Sequence, residues 1–258
     1  MLEILNNRTE HTHENEQFRR VGEIIETTFD KLGYDGLLIG NPFNESYSRF
    51  RADAILYYDN GLILIDFKDY KGIIKLPPNE NEFHSTKWHN ESIKDRSRLE
   101  IKAGANFINP FRQLASYRNA FRELVEKNKY LDGINSSRVC IANIFSGPIQ
   151  FHNEVPRNLP YYKLIQESDL ANFLYDFASE NTYKEDIAKV LKSIFPAEKW
   201  IKNLEISIPE PIIDKPIIEI ENEVEESIID FLKVEKGGVL VLVSMDVDDR
   251  DSWLRFIT

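Results

Sequence analysis

Cysteine is almost absent: Cys140 stands alone in 258 residues. It can build neither an intrachain disulfide framework nor a multi-cysteine zinc site, and a reducing cytosolic setting suits such a chain. No run of about 18 apolar residues occurs, so no membrane-spanning helix is expected. The leading stretch MLEILNNRTEHTHENEQ lacks the apolar segment of a signal peptide. Positive charge is also in deficit. Thirty-two Lys and Arg face 43 Asp and Glu, a net charge of −11, which argues against an indiscriminate nucleic-acid binder. There is no internal repeat.

What is present supports a packed core. Hydrophobic residues make up 42% and charged residues 29%, and a domain of about 100–200 residues leaves room for one core and an appendage. The charge is uneven. Residues 203–258 hold 5 Lys and Arg against 14 Asp and Glu, while 68–122 hold 11 against 6. An acidic tail thus follows a body with a local basic stretch, of a kind that can track phosphates.

Apolar spacing at Phe18, Val21, Ile24, Ile25, Phe29 and Leu32 predicts a helix from Asn15 to Leu32, stopped by Gly33. Residues 35–40, 50–58 and 61–67 read as strands, the last two joined by the hairpin signal Asp59-Asn60-Gly61. A third strand is expected over 69–76 after a bend at Gly72, followed by a polar, irregular loop over 77–100. Asn109-Pro110 opens a helix to Lys127; 137–145 and 164–165 read as strands, and 167–178 and 182–194 as helices. The expected organisation is a polar lead at 1–13, a main domain at 14–202, an acidic linker with prolines at 203–222, and a short helix and strand at 223–258.

The chemistry concentrates in the hairpin. Side chains alternate along a strand, so Asp66 and Lys68 continue the row begun by Leu62 and Leu64. Asp53 lies on the partner strand. Charges at the end of an apolar row are costly unless paired or bound to a cation. Two carboxylates suit a hard cation such as Mg²⁺ or Mn²⁺, and Lys68 can hold or help deprotonate an attacking water. The alternative is that all three face solvent on an amphipathic hairpin.

GEIIETTFDKL, RADAILYY, GLILIDFKDYKG, Trp88 and NPFRQ, in that order, resemble the nuclease-related domain (NERD) family of the PD-(D/E)xK superfamily, over about residues 16–175. The resemblance implies an α/β fold, a mixed central sheet flanked by helices with a restriction-endonuclease-like core, and metal-dependent cleavage of DNA. It makes Asp53 and Asp66 metal-binding acids and Lys68 catalytic, with Ala52 where proline is usual and Asp66 where glutamate is. Glu23, in Gly22-Glu23, becomes a third metal-side carboxylate, with Glu26 as runner-up. Asn109 and Gln113 match an NPxxQ element. Gln113 and Tyr117 lie one helical turn apart and are similar to a pair that faces the substrate in RecB-type exonucleases. Lys71 and Arg112 join Asn109, Gln113 and Tyr117 as candidate substrate contacts.

Other residues read more plainly. His11 and His13 with Glu14 fall in the polar lead, His84 and His89 flank Trp88 on a surface loop, Cys140 is a small core residue, and Tyr57, Tyr58, Phe67 and Tyr70 are core aromatics. Gly237-Gly238 and VLVLV resemble the entrance to a P-loop helicase, but the following SMDVDDRDSWLRFIT lacks the phosphate-cradling glycines and lysine. The expected partner is DNA, with a helicase-type motor as a possible fused or separate companion and no membrane. The rival expectation is a DNA-binding or docking module without catalysis.

Overall fold

In this computed structural model the described residues are 1–200 apart from 10, 11, 95 and 105. The chain divides into two units, Met1–Asn203 and Leu204–Thr258, and all described residues lie in the first. The expected linker, C-terminal helix and C-terminal strand lie outside the described residues, as does His11.

The elements are β1 (Leu2–Asn6), α1 (Thr12–Leu32), β2 (Gly36–Gly40), β3 (Ala54–Tyr58), β4 (Gly61–Lys68), β5 (Gly72–Lys75), α2 (Glu80–Ser85), β6 (His89–Glu91), β7 (Arg98–Glu100) and α3 (Pro110–Lys127). They continue with β8 (Cys140–Phe145), β9 (Ile149–Phe151), β10 (Tyr162–Gln166), α4 (Leu170–Asp176), α5 (Glu185–Ile194) and β11 (Glu198–Lys199). Seven strands form one mixed sheet in the order β10, β8, β4, β3, β2, β1, β11. The β2–β3–β4 pairings are antiparallel, while β4–β8, β8–β10 and β1–β2 are parallel. This is the mixed α/β sheet flanked by helices that a nuclease-like core requires.

Both sheet faces are covered, so the central strands are apolar almost throughout. Leu37, Ile39, Ile55, Tyr57, Leu62 and Leu64 join the cluster that includes Leu114, Phe121 and Leu124 of α3. Their neighbours Leu38, Leu56, Tyr58, Ile63 and Ile65 join Phe18, Val21, Ile25 and Phe29 of α1. Asp66 and Lys68 therefore fall on the α3 side.

Three expectations are corrected. The lead is not merely polar: Leu2–Asn6 pairs in parallel with β2 across its whole length, with Ile4 and Leu5 buried. Helix α1 begins at Thr12, three residues before Asn15. The loop over 77–100 is built structure: Asn79 caps α2 by accepting from the Glu82 amide, and β6 and β7 form a hairpin whose β6 pairs with β5. Strand β5 belongs with these and β9 to a second sheet, ordered β7, β6, β5, β9. Phe83 and Trp88 anchor this region in the core, both fully buried. Gly72 has φ +121°, and a Cβ there would lie 2.5 Å from the Glu91 carbonyl oxygen, so the turn into β5 admits only glycine.

Candidate active site

The hairpin brings Asp53, Asp66 and Lys68 to one end of the main sheet. Asp53 sits just before β3, where its amide donates to the Ile65 carbonyl at 2.9 Å. Its Oδ2 accepts from the Phe67 amide at 2.6 Å, which fixes it beside the last turn of β4. Asp66 is 1% exposed and Lys68 8%, and Lys68 Nζ lies 2.7 Å from Asp66 Oδ2. The solvent-facing alternative is thereby excluded for these two.

Helix α3 closes the site from above. Gln113 Nε2 donates to Asp66 Oδ1 at 2.9 Å, and its Oε1 accepts from Lys68 Nζ at 3.3 Å. The Gly104 amide donates to the same Oε1 at 3.0 Å, so the loop before α3 also passes over the site. Tyr117 hydroxyl lies 3.4 Å from Gln113 Nε2, one helical turn along, as the spacing predicts. Strand β8 supplies Asn143, the register partner of Asp66, whose Nδ2 donates to Asp66 Oδ2 at 2.6 Å.

The electrostatics follow from burial. Burial pushes the Asp53 carboxyl well above the usual carboxylate range, and the Asp66 charge adds to this; the Phe67 amide and Lys68 act against it. Burial works against the Lys68 ammonium, yet Asp66 and Asp53 outweigh it and hold Lys68 as a cation. The α1 carboxylate whose charge bears on both Asp53 and Asp66 is Glu14. Sequence reasoning weighed Glu14 only with His11 and His13 and set it aside with the polar lead, because it placed the helix start three residues too late.

Several expected residues lie elsewhere. Glu23 pairs with Arg19 at 3.2 Å on the exposed side of α1, about 13 Å along the helix from Glu14 at 1.5 Å per residue. Glu26 lines a cavity of about 940 Å³ at the β1 edge, with Glu3, Tyr183, Lys192 and Trp200. Asn109 is fully buried. It caps α3 by accepting from the Arg112 amide at 2.9 Å and donates to the Phe83 and Thr86 carbonyls at 3.0 and 2.7 Å. It is a structural clamp, not a substrate contact. Lys71 and Arg112 are exposed. His84 faces the Phe111 ring and His89 approaches Arg98 at 3.2 Å, while Cys140, Tyr57, Tyr58 and Phe67 are buried.

Two carboxylates and a lysine thus meet at a sheet end, gripped by a glutamine of α3. The family model for the nuclease-related domain matches residues 12–142, half of the chain. The chain belongs to the NERD family. No curated protein and no solved structure matches it. The matched span of the NERD domain includes Asp53, Asp66, Lys68 and Gln113 and stops just short of Asn143. That position follows Ala142 inside an apolar run, and the one available signal was a lone carboxamide in an otherwise apolar strand.

Among the described residues no group of three or more His, Cys, Asp or Glu side chains is assembled for a metal. The donor set nonetheless suits a hard cation. It is all oxygen, and among the described residues no cation pairs directly with Asp53, although Lys68 acts on it from nearby; added positive charge would relieve its repulsion with Asp66. No described helix is long and apolar enough to cross a membrane.

Proposed function

We propose that this NERD-family chain is a Mg²⁺- or Mn²⁺-dependent nuclease that hydrolyses DNA phosphodiester bonds, serving repair or defence against foreign DNA in a cytoplasmic setting. The observation that carries this reading is the buried Asp66–Lys68 pair at 2.7 Å with Asp53 fixed beside it through the Phe67 amide. Asp53 and Asp66 would hold the cation. When bound, such an ion supplies a hydroxide near neutral pH and polarises the phosphoryl oxygen.

The remaining work belongs to the chain itself. Lys68, kept charged by the two acids, orients the attacking water and offsets charge developing on the phosphate. Gln113 holds Lys68 and Asp66 at once and so keeps the ammonium and the carboxylate in one geometry. The exposed Lys71 and Arg112 attract the backbone phosphates. A helicase-type motor is the partner that the C-terminal resemblance suggests.

The rival docking module would keep the fold without catalysis. It gives no reason to bury an intact acid–acid–lysine set, because an unneeded buried ion pair is no better than apolar packing.

The test uses purified protein with labelled linear, circular and single-stranded DNA. Cleavage is expected with Mg²⁺ or Mn²⁺ and is stopped by EDTA. Lys68→Ala is expected to bind metal and DNA but to cut about 100-fold or more slowly. Asp66→Ala is expected to lose metal binding and cleavage together. No cleavage of any substrate with either metal would leave the docking module standing.

A further inference from the structure

Behind Asp66 lies a chain of two buried polar side chains, Asn143 and Tyr162. Tyr162 hydroxyl donates to Asn143 Oδ1 at 2.5 Å, and Asn143 Nδ2 donates to Asp66 Oδ2 at 2.6 Å. Asn143 is 0% exposed and Tyr162 1%. The Tyr162 ring cannot drift, because it is wedged among Phe83, Trp88 and Phe111 with centroids 6.0, 6.1 and 5.0 Å away.

The geometry decides which way the amide points. Burial pushes the Tyr162 phenol well above its usual value, and the Asp66 charge adds to this, so the hydroxyl keeps its proton and presents it to Asn143. A flipped amide would set Oδ1 against the Asp66 carboxylate, acceptor against acceptor. Tyr162 and Asp66 therefore admit one amide orientation between them.

Asp66 in turn is held from three elements. Lys68 and Asn143 both occupy Oδ2, and Gln113 occupies one lobe of Oδ1. One lobe of Oδ1 remains. Rotation of the carboxylate would break all three contacts together, so the direction of that lobe is set.

We propose that Tyr162 and Asn143 are positioning residues that aim the free lobe of Asp66 at the metal position, Tyr162 acting only through Asn143. That Asp66 takes a cation, and which one, rests on the nuclease reading; DNA cleavage itself does not enter this proposal. Partners that orient a metal-binding carboxylate typically contribute 10–100-fold in metal affinity or activity.

Two readouts test it, both free of catalysis. In metal-free protein, the Asn143 side-chain NH₂ is expected to give a protected, slowly exchanging signal pair by ¹⁵N NMR, and Tyr162→Phe to make it exchange rapidly. By calorimetry, Mn²⁺ affinity is expected to fall about 10-fold in Tyr162→Phe and about 10–100-fold in Asn143→Leu. The double variant is expected to be no weaker than Asn143→Leu alone, since a residue acting through another adds nothing once the intermediary is gone. A general packing defect would instead add.

Thermal melting checks that each variant folds; if Asn143→Leu does not, the NMR signal and Mn²⁺ affinity of Tyr162→Phe decide alone. A Tyr162→Phe protein with the parent's amide signal and Mn²⁺ affinity would overturn the proposal, as would additive losses. Mn²⁺ binding without DNA cleavage would sink the nuclease reading and leave this one standing. A parent protein that binds no Mn²⁺ would overturn both.

Discussion

Asp53 and Lys68 have opposite needs although they share a site. Lys68 is buried but directly paired; Asp53 is held by a backbone amide and repelled by Asp66. Because the Asp53 carboxyl is raised in the fold, the native state holds its proton more tightly than the unfolded chain does. Its contribution to stability is therefore full below the unfolded value of about 3.9 and is lost as pH rises through the native one. Asp53→Asn is accordingly expected to melt with the parent at acid pH and a few degrees above it at pH 7, both in EDTA. Saturating Mn²⁺ is expected to reverse the order, since it stabilises only the protein that binds it. Thermal scans across pH decide this; a gap that stayed constant with pH would show that the fold does not raise the Asp53 carboxyl. At this scale the sequence was legible where charge broke an apolar row, as at Asp66 and Lys68. It was illegible at Asn143, whose partner is non-local, and at Glu14, whose role depended on the register of a helix end.

Helix α3 joins the site to α2, and its two polar anchors carry separable loads. Gln113, half of a pair expected to face substrate, is instead 5% exposed and bonded to Asp66, Lys68 and the Gly104 amide. Gln113→Ala leaves buried groups without partners and is expected to cost about 1–3 kcal/mol, more than the roughly 0.5 kcal/mol of a surface change, together with lost cleavage. Asn109→Ala is expected to cost about 2–4 kcal/mol, as a lost cap with the Phe83 and Thr86 carbonyls left unpaired, while cleavage per folded molecule stays near the parent's. Denaturant titration and single-turnover cleavage separate the two. Helix α3 itself was legible because Asn109-Pro110 opens an apolar periodicity lasting 18 residues. Helix α2, β6 and β7 were not, since elements of 6, 3 and 3 residues are shorter than the window in which a period shows.

Across the whole molecule, the two sheets share a spine. Strand β4 pairs with β8 up to Lys68 and Phe145, and four residues later β5 pairs with β9 from Gly72 and Ile149. The sequence offset between partners is 77 before, within and after the break, at Asn143–Asp66, Ser146–Asp69 and Asn153–Leu76. What looks like two sheets is thus one parallel pair, continued in the same register across a break. The Ser146 amide donates to the Lys68 carbonyl at 3.1 Å, and the Gly72 amide to the Pro148 carbonyl at 3.0 Å, lacing the break from both sides. A crease tied in this way is expected to transmit motion rather than absorb it, so that a tilt of the β6–β7 hairpin would also move the Lys68 backbone. In hydrogen–deuterium exchange, the amides of Gly72 and Ser146 are therefore expected to open with the slow core amides of β4, despite lying in a turn. Rapid, loop-like exchange at both would mean that the second sheet swings free of the first.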